Sequence, residues 1–169
     1  MDIQLRKGNE SDLDSIMGIV SEVIPLMHKV GNFQWDTDYP MREDYIKDCE
    51  NDNCWVAYDV ITNVLVGVAA LTEDSGDDYK QLWDISEIAV VPHRICVSVS
   101  ARGLGVTKKF MRQAEVLAKE RGHKSVRVDT NKQNGAMQHI FKELDYTNLG
   151  ELKLASRPAL TFIGYDKKV

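Results

Sequence analysis

The chain has 169 residues, is 43% hydrophobic and 28% charged, and carries a formal net charge of −5. That balance excludes a disordered, collagen-like or coiled-coil chain, and the acidic total argues against nucleic acid as a generic partner. No run approaches the ~18 consecutive apolar residues of a membrane span, and the N-terminal MDIQLRKGNESDLD lacks the apolar segment of a secretory signal. The expectation is a soluble, cytoplasmic protein forming one domain over residues 1–169. Cys49, Cys54 and Cys96 are too few for a disulfide framework, and their odd number suits reduced thiols. Four histidines with no HExxH spacing and no Cys/His cluster predict no metal site.

In chain order, residues 2–7 read as a short strand, followed by a helix capped at Ser11 with Asp14 three residues on. Leu13, Ile16, Val20, Val23, Ile24 and Met27 recur at spacings of three and four, one apolar helix face, and Pro25 is expected to kink or close it. A loop rich in aromatics (GNFQWDTDYP, 31–40) precedes a short helix from Arg42 to Cys49. Cys54–Val60 and Val64–Leu71 form a hairpin around Ile61-Thr62-Asn63, and the acidic residues 73–78 connect it onwards. Asp84 to Val99 reads as one long extended run with a break or bulge at Pro92. A glycine turn, SARGLG, opens the strongest helix, in which Phe110, Met111, Ala114, Leu117 and Ala118 share a face and which stops at Gly122. The strand SVRVD (125–129), a helix from about Asn134 and two last strands near 148–152 and 159–166 complete the chain. The order is β-α-α-β-β-β-α-β-α-β-β, an α/β layered fold with a mixed sheet.

Charge is unevenly distributed. Residues 33–52 hold seven acids against two bases, while residues 101–127 hold eight bases against two acids. The acidic segment suits a cation and the basic one an anion; two solvated faces are the alternative.

The most informative stretch runs from Ile95 to Thr107, where a strand enters a turn and the turn opens directly into an amphipathic helix. The first N–H groups of a helix lack intrahelical partners and carry the positive end of the macrodipole. A glycine turn there lets backbone approach a ligand closely, the requirements of a phosphate or pyrophosphate site. No GxxxxGK[ST] is present, and GLGVTK lacks the third glycine of GxGxxG, so P-loop and dinucleotide-binding readings are set aside.

Arg102-Gly103-Leu104-Gly105-Val106-Thr107 resembles the Arg/Gln-x-x-Gly-x-Gly/Ala acyl-CoA pyrophosphate motif of the GNAT (Gcn5-related N-acetyltransferase) superfamily. Ile95-Cys96-Val97 before it, and VRVDTN with NGAMQHIFKELDY after it, are similar to the flanking motifs in order and spacing. FQWDTDYP and HRICV resemble a bacterial branch whose amine substrates are uncharacterised. The resemblance covers essentially the whole chain. It implies a mixed, mostly antiparallel sheet of about seven strands with about four helices. It also implies an acetyl-CoA-dependent N-acetyltransferase acting on a small-molecule or peptide amine. Acetyl-CoA would be a cosubstrate, held by Arg102 to Thr107, by Ile95, Cys96 and Val97, and by Asn131, Asn134 and Phe141. An N–H near Val97 would polarise the carbonyl, and Phe33, Trp35 and Tyr39 would line the acceptor side.

Two positions depart from the family. Thr107 replaces the final Gly or Ala of the motif, and Phe141 stands where many members carry a tyrosine that protonates the departing thiolate. The usual Gly-Phe four residues on is Asp145-Tyr146. From the residues themselves, Glu87 and His93 are the candidate bases for deprotonating an ammonium, directly or through water. No Ser-His-Asp order or activated cysteine supports a covalent acyl-enzyme. The alternative is a non-catalytic acyl-CoA-binding or sensing domain. A homodimer is compatible with either reading; no nucleic-acid or membrane partner is expected.

Overall fold

The computed structural model describes residues 1–73 and 76–169; the part of the acidic connection at 74–75 lies outside the described residues. Among the described residues there are seven strands and four α-helices, in the order expected. They form two compact units. One comprises Met1–Leu71 with His93–Met111, the other Thr72–Pro92 with Arg112–Val169.

In the first unit, β1 (Ile3–Lys7), β2 (Cys54–Asp59), β3 (Leu65–Thr72) and β4 (Val91–Val97) make a sheet in that order. β1 pairs β2 antiparallel from Ile3↔Asp59 to Lys7↔Trp55, and β2 pairs β3 from Cys54↔Ala70 to Tyr58↔Leu65. The core is made by the apolar faces that period-two and period-3.6 spacing predict: Leu13, Ile16, Val20 and Val23 against Val56, Val68 and Cys96.

Helix α1 (Leu13–Lys29) departs from expectation at its start. The cap is Asn9, ahead of a 3-10 turn over Glu10–Asp12. The Asn9 side chain accepts the Ser11 N–H at 2.9 Å, and Asp12 returns a bond to the Asn9 N–H at 3.0 Å, a reciprocity that Ser11 does not obtain. Arg6 clamps Asp12 with two 2.8 Å bonds and holds its carboxyl below the usual carboxylate range. At the other end, α1 passes through Pro25 and continues to Lys29. Pro25 is exposed, so its ring meets solvent, while Ile24 and Met27 pack on the core and carry the helix onward. Helix α2 (Arg42–Glu50) follows the aromatic loop, with the Met41 N–H bonded to Asp44 at 2.7 Å.

Gly67 in β3 explains how closely the next elements approach. A Cβ there would lie 3.1 Å from the Cys96 carbonyl oxygen, 3.1 Å from Val106 Cγ1 and 3.3 Å from Phe110 Cε2. Helix α3 (Val106–Glu120) buries Val106, Phe110, Met111, Ala114 and Ala118, the face read from the sequence, and ends ahead of Gly122 at φ +74°.

In the second unit, β5 (Ser125–Asn131), β6 (Thr147–Leu152) and β7 (Phe162–Lys168) form an antiparallel sheet in the order β5-β7-β6. β7 begins three residues later than expected: Leu154 and Leu160, in the preceding loop, pack on Tyr79, Trp83, Leu152 and Phe162 instead. The long run expected from Asp84 is not extended throughout. Asp84 accepts the Ser86 N–H at 2.9 Å in an Asx turn, and β4 begins only at Val91, after a single parallel bridge between Val90 and Val126. The buried Arg127 guanidinium holds the turn by donating to the carbonyl oxygens of Asp84 at 2.9 Å and Glu87 at 3.1 Å. Helix α4 (Gly135–Glu143) is capped by Asn134, which accepts the Met137 N–H at 3.3 Å. It closes at Asp145, φ +62°, with the Tyr146 N–H bonded to the Phe141 carbonyl at 2.9 Å.

Replacing Gly67 with Ala puts a methyl against a backbone oxygen that has no rotamer to escape to. It should cost about 1–3 kcal/mol, read as a lower urea midpoint at unchanged slope. Asp129, partly buried in β5, accepts the Tyr79 hydroxyl at 2.6 Å, yet burial pushes its carboxyl up to about 6. A raised carboxyl keeps its proton in the native state after the unfolded chain has released it. Stability therefore falls as pH rises from about 4 through 6. Asp129→Asn abolishes that ionisation, so its unfolding free energy from urea titration should match the parent at pH 4 and exceed it at pH 7.5, by at most about 3 kcal/mol.

Candidate functional site

The turn between β4 and α3 is built from backbone. Strand β4 ends at Val97, Ser98 turns the chain, and a 3-10 turn over Val99–Ala101 leads to Arg102. Ser98 is tied to β3 by its N–H to the Val66 carbonyl at 2.9 Å, and its hydroxyl shares a 2.7 Å bond with Ser100. Gly103 and Gly105 then adopt φ +76° and +75°, a conformation L side chains rarely take. A Cβ at either glycine would meet nothing within 4 Å, so open space faces the backbone on both sides of Leu104. The first intrahelical bond of α3 runs from the Lys109 N–H to the Gly105 carbonyl at 3.0 Å, which leaves the preceding N–H groups directed at the turn. Lys108 and Lys109 follow in the first helical turn, which carries no acid. Arg102 and Leu104 are exposed, Thr107 is half-buried, and Val106 anchors the helix start in the core. These residues fit a diphosphate: amides at a helix start, a dipole of the right sign, and open space that a Cβ would narrow.

Along β4, Ile95 and Val97 are half-buried and Cys96 is buried. Burial pushes the Cys96 thiol up to about 12, so it packs as a small apolar side chain instead of supplying a thiolate. Residues 93, 94 and 95 are all half-buried, breaking the alternation of the strand, and Arg94 sits at φ +52°. Its guanidinium reaches Asp48 of α2 through Nε at 2.8 Å and Nη2 at 2.5 Å, and donates from Nη1 to the Tyr39 hydroxyl at 3.2 Å. Both members of the pair are largely removed from solvent, with side chains 16% and 6% exposed.

The expected acceptor-side residues occupy different environments. Phe33 is exposed and lies 4.9 Å from the His28 ring, Trp35 is buried in the first unit's core with its carbonyl bonded to His28 Nε2 at 2.8 Å, and Tyr39 bonds Arg94. Several acids of this region are engaged locally. Asp36 accepts the N–H groups of Asp38 and Tyr39, Asp44 caps α2, and Asp48 pairs with Arg94.

Glu87 lies in the Asp84–Glu87 turn and not on an extended strand, as its position in the run from Asp84 had suggested. The Asx turn and Arg127 account for the difference. Its side chain is about half exposed, 3.5 Å from Arg127 Nη2. His93 is on β4 and half-buried. Asn131 is buried at the end of β5, accepting the Gln133 N–H at 3.2 Å, and Asn134 combines its capping bond with one to the Thr130 hydroxyl at 3.1 Å. Phe141 is fully buried, 4.9 Å from the Tyr165 ring and 6.0 Å from the Tyr146 ring.

Sequence reading passed over Arg94 and Asp48. Their 46-residue separation leaves no local spacing to find, and Asp48 is one acid among seven; an arginine inside an apolar strand is the only trace.

Comparison with known proteins agrees with this geometry. The Acetyltransferase (GNAT) family model matches residues 24–146. A GNAT-family acetyltransferase from Streptococcus agalactiae 2603 is 27% identical over 99% of this chain and 95% of its own, with a TM-score of 0.84. One from Listeria monocytogenes 4b F2365 is 19% identical over 99% and 95%, with a TM-score of 0.77. The structure of yncA from Salmonella typhimurium, solved with its cofactor acetyl-CoA, is 15% identical over 99% and 94%, with a TM-score of 0.71. No curated protein matches the chain. The family match spans the strand, the glycine turn and the helix just described, and the chain belongs to the GNAT acetyltransferase family.

Proposed function

We propose that the chain transfers the acetyl group of acetyl-CoA to a primary amine by direct attack in a ternary complex. The observation that carries the reading is the backbone cradle, with Gly103 and Gly105 left-handed and open at the start of α3. Structural likeness to yncA, solved with acetyl-CoA, supports the donor. Acetyl-CoA supplies the thioester whose carbonyl carbon the amine attacks and the sulfur that leaves.

The chain's own residues would divide the work. Amides of the turn and Arg102 hold the diphosphate, Ile95, Cys96 and Val97 offer backbone to the pantetheine arm, and the Val97 N–H polarises the carbonyl. Asn131 and Asn134 border the start of α4, where their side-chain amides would add hydrogen bonds to the cofactor. Glu87 and His93 are the groups proposed to take the amine proton. Phe141 cannot donate one; a thiol with an ordinary pKa near 8.5 leaves tolerably as thiolate, and water or the outgoing ammonium restores its proton. The acceptor is a small molecule or a peptide terminus, and Phe33, Trp35 and Tyr39 are its proposed neighbours. Three free cysteines fit a reducing compartment such as the cytoplasm.

Acetyl-CoA at 100 times its Kd should stabilise the protein by about 2.7 kcal/mol. Gly105→Val should abolish that thermal shift while the apo protein still folds, at some cost from placing a β-branched residue at φ +75°. Release of thiol from acetyl-CoA in the presence of a panel of primary amines tests transfer itself; binding without release on any amine would favour the sensing domain. If Glu87 or His93 is the base, its replacement by Gln should lower kcat/KM by roughly 10²–10⁴ and erase the acidic limb of the pH profile. Near-normal rates in both would mean that the amine arrives already deprotonated.

A further inference from the structure

Four non-glycine residues take positive φ among the described residues: Asp52, Asn63, Arg94 and Asp145. Three of them are Asp or Asn, the types that tolerate the left-handed region, and they sit where chains reverse: after α2, in the β2–β3 hairpin and after α4. Arg94 alone lies inside a strand and has no side-chain chemistry that favours φ +52°. Such a conformation is strained and persists only where the surroundings impose it. The contacts that surround it are the two-pronged bond to Asp48 and the third bond to Tyr39.

Stability alone does not account for this pair. A buried ion pair loses in desolvation much of what it gains in attraction. Asp48 shows that cost, its carboxyl standing above the usual carboxylate range because burial outweighs the adjacent guanidinium. A strained backbone held by a desolvated pair immediately before Ile95 has a geometric purpose.

We infer that Arg94 and Asp48 are positioning residues: their pair holds residue 94 in the left-handed region and so fixes the direction in which the backbone of Ile95, Cys96 and Val97 is presented. The inference rests on the proposed acetyl transfer, for which that backbone is the thioester platform. Tyr39, the third partner, ties the aromatic loop to the same residue, so the acceptor-side loop and the strand share one anchor.

The idea has a specific test, because glycine occupies φ +52° without help and alanine does not. Three variants are compared with the parent: Asp48→Asn, the double Arg94→Gly/Asp48→Asn, and the double Arg94→Ala/Asp48→Asn. Hydrogen exchange at the Ile95, Cys96 and Val97 amides is read in the absence of any ligand, and kcat and acetyl-CoA KM are read with the best amine. Exchange should quicken by about tenfold or more in Asp48→Asn and in the alanine double, and return to within about threefold of the parent in the glycine double. Turnover should follow the same order, with kcat down about tenfold or more and KM for acetyl-CoA little changed where the left-handed conformation at residue 94 is lost. Equal exchange in the glycine and alanine doubles would overturn the assignment, since a merely structural ion pair is lost equally in both. If the parent turns over no amine at all, the acetyl-transfer reading fails while the exchange comparison still decides the positioning role.

Discussion

Gly67 sets how tightly the first unit is built. At this one point in β3 the Cys96 carbonyl, the first apolar residue of α3 and the Phe110 ring all crowd a position that would hold a Cβ in any other residue. The backbone that must present amides and the helix that must present its N-terminus are both seated against the same bare stretch of strand. Ser98 adds a hydrogen bond to the neighbouring Val66 carbonyl, fixing where the strand stops and the turn starts. The turn needs no polar side chain for its shape, because two left-handed glycines supply it and the buried Val106 pins its exit.

Much of this was legible because it is local. Strand–turn–helix, the glycine spacing and the apolar face of α3 are written within a few residues of one another, and period-3.6 spacing placed the apolar faces of α1 and α4. What was misread turned on which side chains find partners and which are packed, something that spacing alone does not show. Asn9 displaces Ser11 as a cap because Asp12 answers it and Arg6 holds Asp12. Pro25 fails to end α1 because its neighbours are packed while its own ring is exposed. The departure from Gly at position 145 is reconciled by conformation: the place requires positive φ after α4, and aspartate is among the few other residues that accept it.

The candidate site divides the same way. Backbone functions, the cradle and the strand beside it, follow from sequence because glycine and helix starts signal them. Side-chain functions do not. Glu87 seemed to stand on a strand until Arg127 and the Asx turn gave it a different surrounding, and the acids of residues 33–52, which suggested a cationic acceptor, prove in part to be occupied by caps and by Arg94. The charge pattern was real, but a hydrogen-bond census is needed to say which charges remain available to a ligand.

The Arg127 guanidinium organises residues 84–87 through the carbonyl oxygens of Asp84 and Glu87 more closely than through the carboxylate of either. A carbonyl is the same at every position of a polypeptide, so this mode of support is indifferent to which amino acid stands there. The Asx bond still ties the turn to aspartate at position 84, but at position 87 the support from Arg127 reaches the backbone and does not depend on the side chain. Such an arrangement lets a lineage exchange the residue at position 87 without redesigning the scaffold. Chemical identity at position 87 is therefore evolvable in a way that the glycines of the β4–α3 turn are not.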